Sequence, residues 1–165
     1  MLSNPCSICF TGSHVFTSLP FERCGNHSGS RSEILIGERS GVSDAWQFPQ
    51  GGVRKDELPL EALFRELREE VSLKPSHYRV LGCKGPYRYL FQEGRKKEGF
   101  DGQEQFYFLV RLTAPASSVK VETDNPEFSR IRWIEPADFR LQWVPEFKRE
   151  VYRQVFLDFF AIRLA

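Results

Sequence analysis

The chain has 165 residues, 41% of them apolar and 27% charged, with a formal net charge of +1, which predicts one globular domain over residues 1–165 and excludes a disordered chain. Near-neutrality excludes a global field that would hold DNA or a membrane surface non-specifically, so neither is expected as a partner and any anionic ligand must meet a local basic cluster. No apolar run approaches the roughly 18 residues of a membrane span, and the N-terminus lacks the basic-then-apolar pattern of a secretory signal, which predicts a cytoplasmic protein.

The N-terminal segment, over about residues 1–32, is the least regular part of the chain. A first strand is expected somewhere between Cys6 and Thr17, followed by a long loop, "SLPFERCGNHSGSRS", rich in Ser, Gly, Asn and Pro. Cysteines without a secretory signal are expected as reduced thiols. Cys6-Ser-Ile-Cys9 and Cys24-Gly-Asn-His27 have the pairwise spacing of a structural Zn²⁺ site; alternatively, Cys6 and Cys9 are small hydrophobes beside the first strand.

"EILIGER" then reads as a strand, and "SGVSDAWQFPQGG" as a loop that carries aromatic residues and paired glycines. Pro59 suits the first turn of a helix, and Leu60, Leu63, Phe64, Leu67 and Val71 recur at three- and four-residue steps as one apolar stripe. "YRVLGCKG", "RYLF", "EQFYFLVRL", "VKVE" and "FSRIRWI" read as strands. The chain closes on a second amphipathic helix whose apolar positions are Phe147, Val151, Val155, Phe156 and Phe159. Strands flanking two helices, without strict alternation, predict an α/β (α+β) fold with a mixed central sheet and helices on its faces.

At about 100° per residue, Glu66, Glu69 and Glu70 share one flank of the first helix, while Arg65 and Arg68 fall on another. Glu66 faces Glu69 and Glu70 at three- and four-residue spacing, which repels by a few tenths of a kcal/mol per pair unless something positive sits among them. A divalent cation removes that repulsion, and hard oxygen ligands suit Mg²⁺ or Mn²⁺. On the helix alone, a solvated acidic face accounts for the pattern equally well.

The wider segment "GGVRKDELPLEALFRELREEVSL", Gly51 to Leu73, resembles the Nudix box, with Gly51, Glu57, Arg65, Glu66, Leu67, Glu69, Glu70 and Leu73 in register. Ser72 stands where that family has glycine, and a left-handed helix end there should cost on the order of 1 kcal/mol at most. The resemblance implies an α/β/α sandwich that binds divalent metal and cleaves a nucleoside diphosphate linked to another group. It makes Glu66, Glu69 and Glu70 metal ligands together with the Gly51 carbonyl, pairs Glu57 with Arg65, and makes Glu70 the favoured general base, with Glu69 or Glu127 as alternatives.

From about Glu33 onward, "WQFPQGG", "NPEF" with the later "RW", and "FKREVYRQV" are similar to the bacterial RNA pyrophosphohydrolases and dinucleoside polyphosphate hydrolases. That similarity implies Glu127 as a further metal ligand, though a turn carboxylate after Pro126 would look the same. It implies that Phe147 and Arg39 sandwich a nucleobase and that Tyr89 and Lys148 reach the phosphate chain; each of these could equally be a packing or surface residue. The N-terminus departs from those enzymes, which begin with Tyr-Arg, and leaves only Arg23 and Arg31 as candidate phosphate contacts there. The activity implied is removal of pyrophosphate or phosphate from the 5′ end of triphosphorylated or diphosphorylated RNA, with dinucleoside polyphosphate hydrolysis as the alternative. A non-catalytic nucleotide- or RNA-binding module on the same scaffold would be expected to lose box glutamates, and all are present.

Overall fold

Glu33–Arg39 forms the strand from which both layers of the molecule can be read. Ile34, Leu35 and Ile36 are all fully buried, so this strand is covered on both faces rather than on alternate positions. Ile34 and Ile36 pack into one core with Val151, Tyr152, Val155 and Phe156. Leu35, pointing the opposite way, packs with Leu63, Leu67 and Val71. The two helices therefore lie on opposite faces of one sheet. The computed structural model describes residues 10–18, 21–23, 33–92, 100–121 and 126–165; Cys6, Cys9, Cys24, His27 and Arg31 lie outside them, and Cys83 is a free, exposed thiol.

In chain order the strands are β1 (Phe10–Ser18), β2 (Phe21–Arg23), β3 (Glu33–Arg39), β4 (Trp46–Gln47), β5 (Gln50–Gly51), β6 (Tyr78–Leu90), β7 (Gly102–Leu112) and β8 (Phe128–Ile134), joined in an eight-stranded sheet. Helix α1 spans Pro59–Val71 and α2 spans Glu146–Phe160. β1 and β2 run parallel to β7, while β6 lies antiparallel to it, so the sheet is mixed. β8 lies antiparallel to β3, with Ile36 opposite Arg132 and Glu38 opposite Arg130. β5 pairs with β1, opposing Gly51 to Thr17.

Four sequence expectations change. "SGVSDAWQFPQGG", read as a loop, carries the short strands β4 and β5. The predicted loop from Ser18 to Ser32 contains strand β2. "YRVLGCKG" and "RYLF" are one 13-residue strand, β6, interrupted by two register shifts against β7. The described part of "VKVE" is not a strand: Val119 is buried, and the Lys120 N–H donates to the Val71 carbonyl at 3.1 Å, which ties the segment to the end of α1 instead of a ladder.

Helix α1 begins with Pro59 in its first turn, and the Glu61 carboxylate reaches back to the Leu58 N–H at 2.9 Å. Its buried residues are Ala62, Leu63, Leu67, Glu70 and Val71, whereas Leu60 is 41% exposed. The inward face is thus rotated by about 60° from a stripe centred on Leu60, and it includes glutamates. The helix ends at Ser72 in the left-handed region, φ 59°, with the Leu73 N–H donating to the Leu67 carbonyl at 3.0 Å. Since only glycine adopts that conformation freely, Ser72→Gly should stabilise the protein by about 0.5–1 kcal/mol, net of the extra freedom glycine gives the unfolded chain. Thermal unfolding should register this as a rise in Tm of about 2 °C.

Candidate active site

The segment between β5 and α1 folds over the first turns of α1 and is held there by Arg65. Its Nε and Nη2 donate to Glu57 Oε1 and Oε2, both at 2.8 Å, and Nη2 also donates to the Gly52 carbonyl at 2.7 Å. Nη1 donates to Glu66 Oε1 and, at 3.3 Å, to Glu69 Oε2. The helical wheel separates the arginines from the glutamates, but the long side chain of Arg65 carries its guanidinium back among them. The charges are therefore not segregated. The Arg65 hydrogen bonds hold the Glu57 carboxyl down from 4.5 to about 2.

Gly51 lies against the helix so closely that a Cβ there would sit 1.8 Å from Glu66 Cδ. A side chain at this position would displace the Glu66 carboxylate, which accounts physically for glycine at the start of the motif. Gln50, next to it, donates its backbone N–H to Glu70 Oε2 at 3.0 Å.

Glu70 is 4% exposed, and among the described residues no donor hydrogen-bonds its Oε1. Burial first, then the neighbouring Glu127 and Glu66 carboxylates, push its carboxyl well above the usual range. Burial also raises Glu66, against the pull of Arg65. Glu69 is more exposed and lies 3.5 Å from Arg54 Nη2. A buried carboxylate oxygen without a donor, faced by two further carboxylates, is a site that a hard cation would satisfy, and all the donors are oxygen. The residues present therefore fit Mg²⁺ or Mn²⁺. Among the described residues no three Asp, Glu, His or Cys side chains are grouped so that they could hold a metal ion as they stand, and Arg65 engages oxygens of both Glu66 and Glu69.

Glu127, just before β8, stands close enough to Glu66 and Glu70 to act on their charges. Its carbonyl accepts the Ser40 N–H at 2.8 Å, and Ser40 Oγ donates to the Pro126 carbonyl at 2.7 Å. That contact belongs to a loop fixed by Glu38, a residue not singled out from the sequence. Glu38 is 6% exposed and accepts Arg130 Nε at 2.6 Å, Arg130 Nη2 at 3.1 Å, the Asp44 N–H at 2.9 Å and Ser129 Oγ at 3.2 Å. The Arg130 hydrogen bond leads in lowering its carboxyl to about 2. A carboxylate within a strand otherwise destined for the core was the available signal; the partner, 92 residues away, left none.

Phe147 stands in the first turn of α2, partly buried, with its ring 5.4 Å from Tyr89 and 6.3 Å, edge-on, from Phe91. Tyr89 is only 6% exposed and donates its hydroxyl to Gln103 Oε1. Its ring is the floor beneath Phe147 and its hydroxyl turns inward, which is the packing alternative that the sequence left open beside a phosphate contact. Lys148 Nζ lies 5.6 Å from the centre of the Tyr89 ring. Arg39 is exposed at the end of β3, with its N–H donating to the Ala45 carbonyl at 3.0 Å.

Residues 26–155 match the sequence profile of the NUDIX domain. The chain belongs to the Nudix family. This Nudix chain is 44% identical over 134 residues to an RNA pyrophosphohydrolase of Halorhodospira halophila, an alignment that covers 73% of the chain and 68% of that relative. To an RNA pyrophosphohydrolase of Hahella chejuensis it is 42% identical over 137 residues, covering 78% and 83%. An Ap4A hydrolase of C. elegans, solved as a binary complex, shares the fold with a TM-score of 0.60 at 19% identity, over 88% of this chain and 98% of that one.

The Glu57 and Arg65 pair has a signature in acid. Because the Glu57 carboxyl is held down in the folded state, its contribution to stability is complete above about pH 4.5 and is lost as the pH falls towards 2. The stability difference between the parent and Glu57→Gln, measured by urea unfolding in chelator, should therefore shrink over that window. A difference that stays constant with pH would contradict the pairing.

Proposed function

We propose that this Nudix hydrolase removes pyrophosphate or phosphate from the 5′ end of triphosphorylated or diphosphorylated RNA and leaves a monophosphate. The observation that carries the reading is the donor-less Glu70 Oε1 facing Glu66 and Glu127, in a chain over 40% identical to relatives named for this activity. Such a cluster serves an anionic phosphate chain only with a cation between them. Mg²⁺ or Mn²⁺ held by Glu66, Glu69, Glu70 and Glu127, with the Gly51 carbonyl, would neutralise that chain and make a bound water acidic.

The protein groups then have distinct tasks. Glu70, buried with one carboxylate oxygen free of donors among the described residues, is placed to accept the proton of the attacking water as the phosphoric anhydride bond breaks and the leaving phosphate departs. Glu57 and Arg65 keep Gly51 and Gly52 against α1, so that the carboxylates stay in place while substrate comes and goes. Phe147, backed by Tyr89 and Phe91, offers a face on which the first bases stack, a contact worth about 1–3 kcal/mol per base. Among the described residues no helix is long and apolar enough to cross a membrane.

With Mg²⁺, purified protein should release labelled phosphate from 5′-triphosphorylated RNA and leave a 5′-monophosphate, and chelation should abolish this. Glu70→Gln should lower kcat by about 10²- to 10⁴-fold. Intact RNA after incubation would sink the proposal. A kcat/KM for diadenosine tetraphosphate far above that for RNA would replace it with the dinucleotide reading.

A further inference from the structure

On the α2 side of the sheet lies a pocket of about 540 Å³, lined among others by Asp44, Arg132, Asp138, Arg140 and Trp143. Its arginines are arranged on indole rings. The Arg132 guanidinium stands 4.0 Å from the Trp46 ring centre, and that of Arg140 stands 5.8 Å from the Trp143 ring. The two indoles are themselves 6.2 Å apart. Arg132 and Arg140 are both exposed. Among the described residues neither forms an ion pair, although two carboxylates line the same pocket.

Unpaired charges of both signs in one pocket leave donors and acceptors open together. A guanidinium laid on an indole keeps its N–H edges for an anion while presenting a flat face. A nucleotide meets all of these: its phosphate accepts from guanidinium, its base stacks on indole or guanidinium planes, and its amino edges donate to carboxylates. Asp44 adds that it is held at φ 58°, a conformation uncommon for a non-glycine residue, by the hydrogen bond from its N–H to Glu38.

The pocket also joins the candidate active site through the chain itself. Asp44 precedes Ala45, whose carbonyl accepts the Arg39 N–H, and the same loop carries Ser40, bonded to Glu127. Trp143 lies four residues before Phe147. An RNA with its 5′ phosphates at the glutamates and its first base at Phe147 would meet next the loop that runs from Ser40 to Asp44. We infer that the pocket of Arg132, Arg140 and Trp143 binds the nucleotide that follows those at the active site, an RNA subsite that makes the enzyme favour longer 5′ ends. The inference rests on the RNA reading above.

Two measurements separate the subsite from the reaction. The first is binding of a 5′-hydroxyl single-stranded RNA hexanucleotide in EDTA, which reads the pocket without catalysis. Arg140→Ala, an exposed change, should weaken it about tenfold and reduce the slope of log affinity against log salt by about one. Arg132→Lys, which keeps the charge but not the planar stack, should weaken it less than Arg132→Ala. The second is kcat/KM for triphosphorylated dinucleotide and hexanucleotide RNA. The parent should favour the hexanucleotide, and Arg140→Ala should remove that preference while leaving the dinucleotide rate unchanged. Equal rates of the parent on both lengths, or equal losses on both in the variant, would overturn the subsite. Arginine-dependent binding of the hexanucleotide without hydrolysis of either RNA would instead sink the 5′-end activity and leave the pocket standing.

Discussion

The arrangement of the site depends on keeping several carboxylates together in a place that dehydrates them. Glu66 and Glu70 are drawn inward by the packing of α1, where burial disfavours their charge. What keeps the cluster from splaying is Arg65, which binds Glu57 with both oxygens, the Gly52 carbonyl, and oxygens of Glu66 and Glu69. One guanidinium thus joins loop to helix and offsets part of the repulsion. It leaves Glu70 Oε1 without a donor, and there the unmet electrostatic demand is concentrated.

A second arginine does a parallel job. Arg130 holds Glu38, and Glu38 holds the Asp44 N–H, so the loop after β3 has a fixed shape. That loop holds Glu127 through Ser40. The site is therefore assembled from two braces, each a carboxylate gripped by an arginine from a different element. Both carboxyls are held far below their ordinary range, to about 2. The base-stacking side is built differently, from aromatic rings: Phe147 rests on Tyr89, which is anchored inward through Gln103.

Much of this was legible in the sequence where the relevant spacing is local. Pro59 and the three- and four-residue apolar steps mark α1 correctly, and "EILIGER" and "FSRIRWI" coincide with β3 and β8. Errors gather where a neighbour distant in sequence decides. "VKVE" has the composition of a strand, yet Lys120 bonds to the end of α1. Leu60 has the right periodicity for the core and is exposed, because the helix turns its glutamate flank toward Gly51. For Tyr89 the sequence left a phosphate contact and a packing role equally open, and its depth beneath Phe147 is visible only in the fold.

By itself, the sequence determined the helices, most of the strands, the register of the box glutamates with Gly51 and Glu57, and through that register the family. These are matters of spacing along one chain, which helical and strand geometry convert directly into faces. Only the tertiary structure decided which glutamate is buried without a donor, that Arg65 crosses to the carboxylate side, that Glu38 and Arg130 fix the loop behind Glu127, and that two arginines stand unpaired on indole rings beside it. Each of these depends on depth from solvent or on a contact between residues far apart in the chain, and neither quantity is carried by local periodicity.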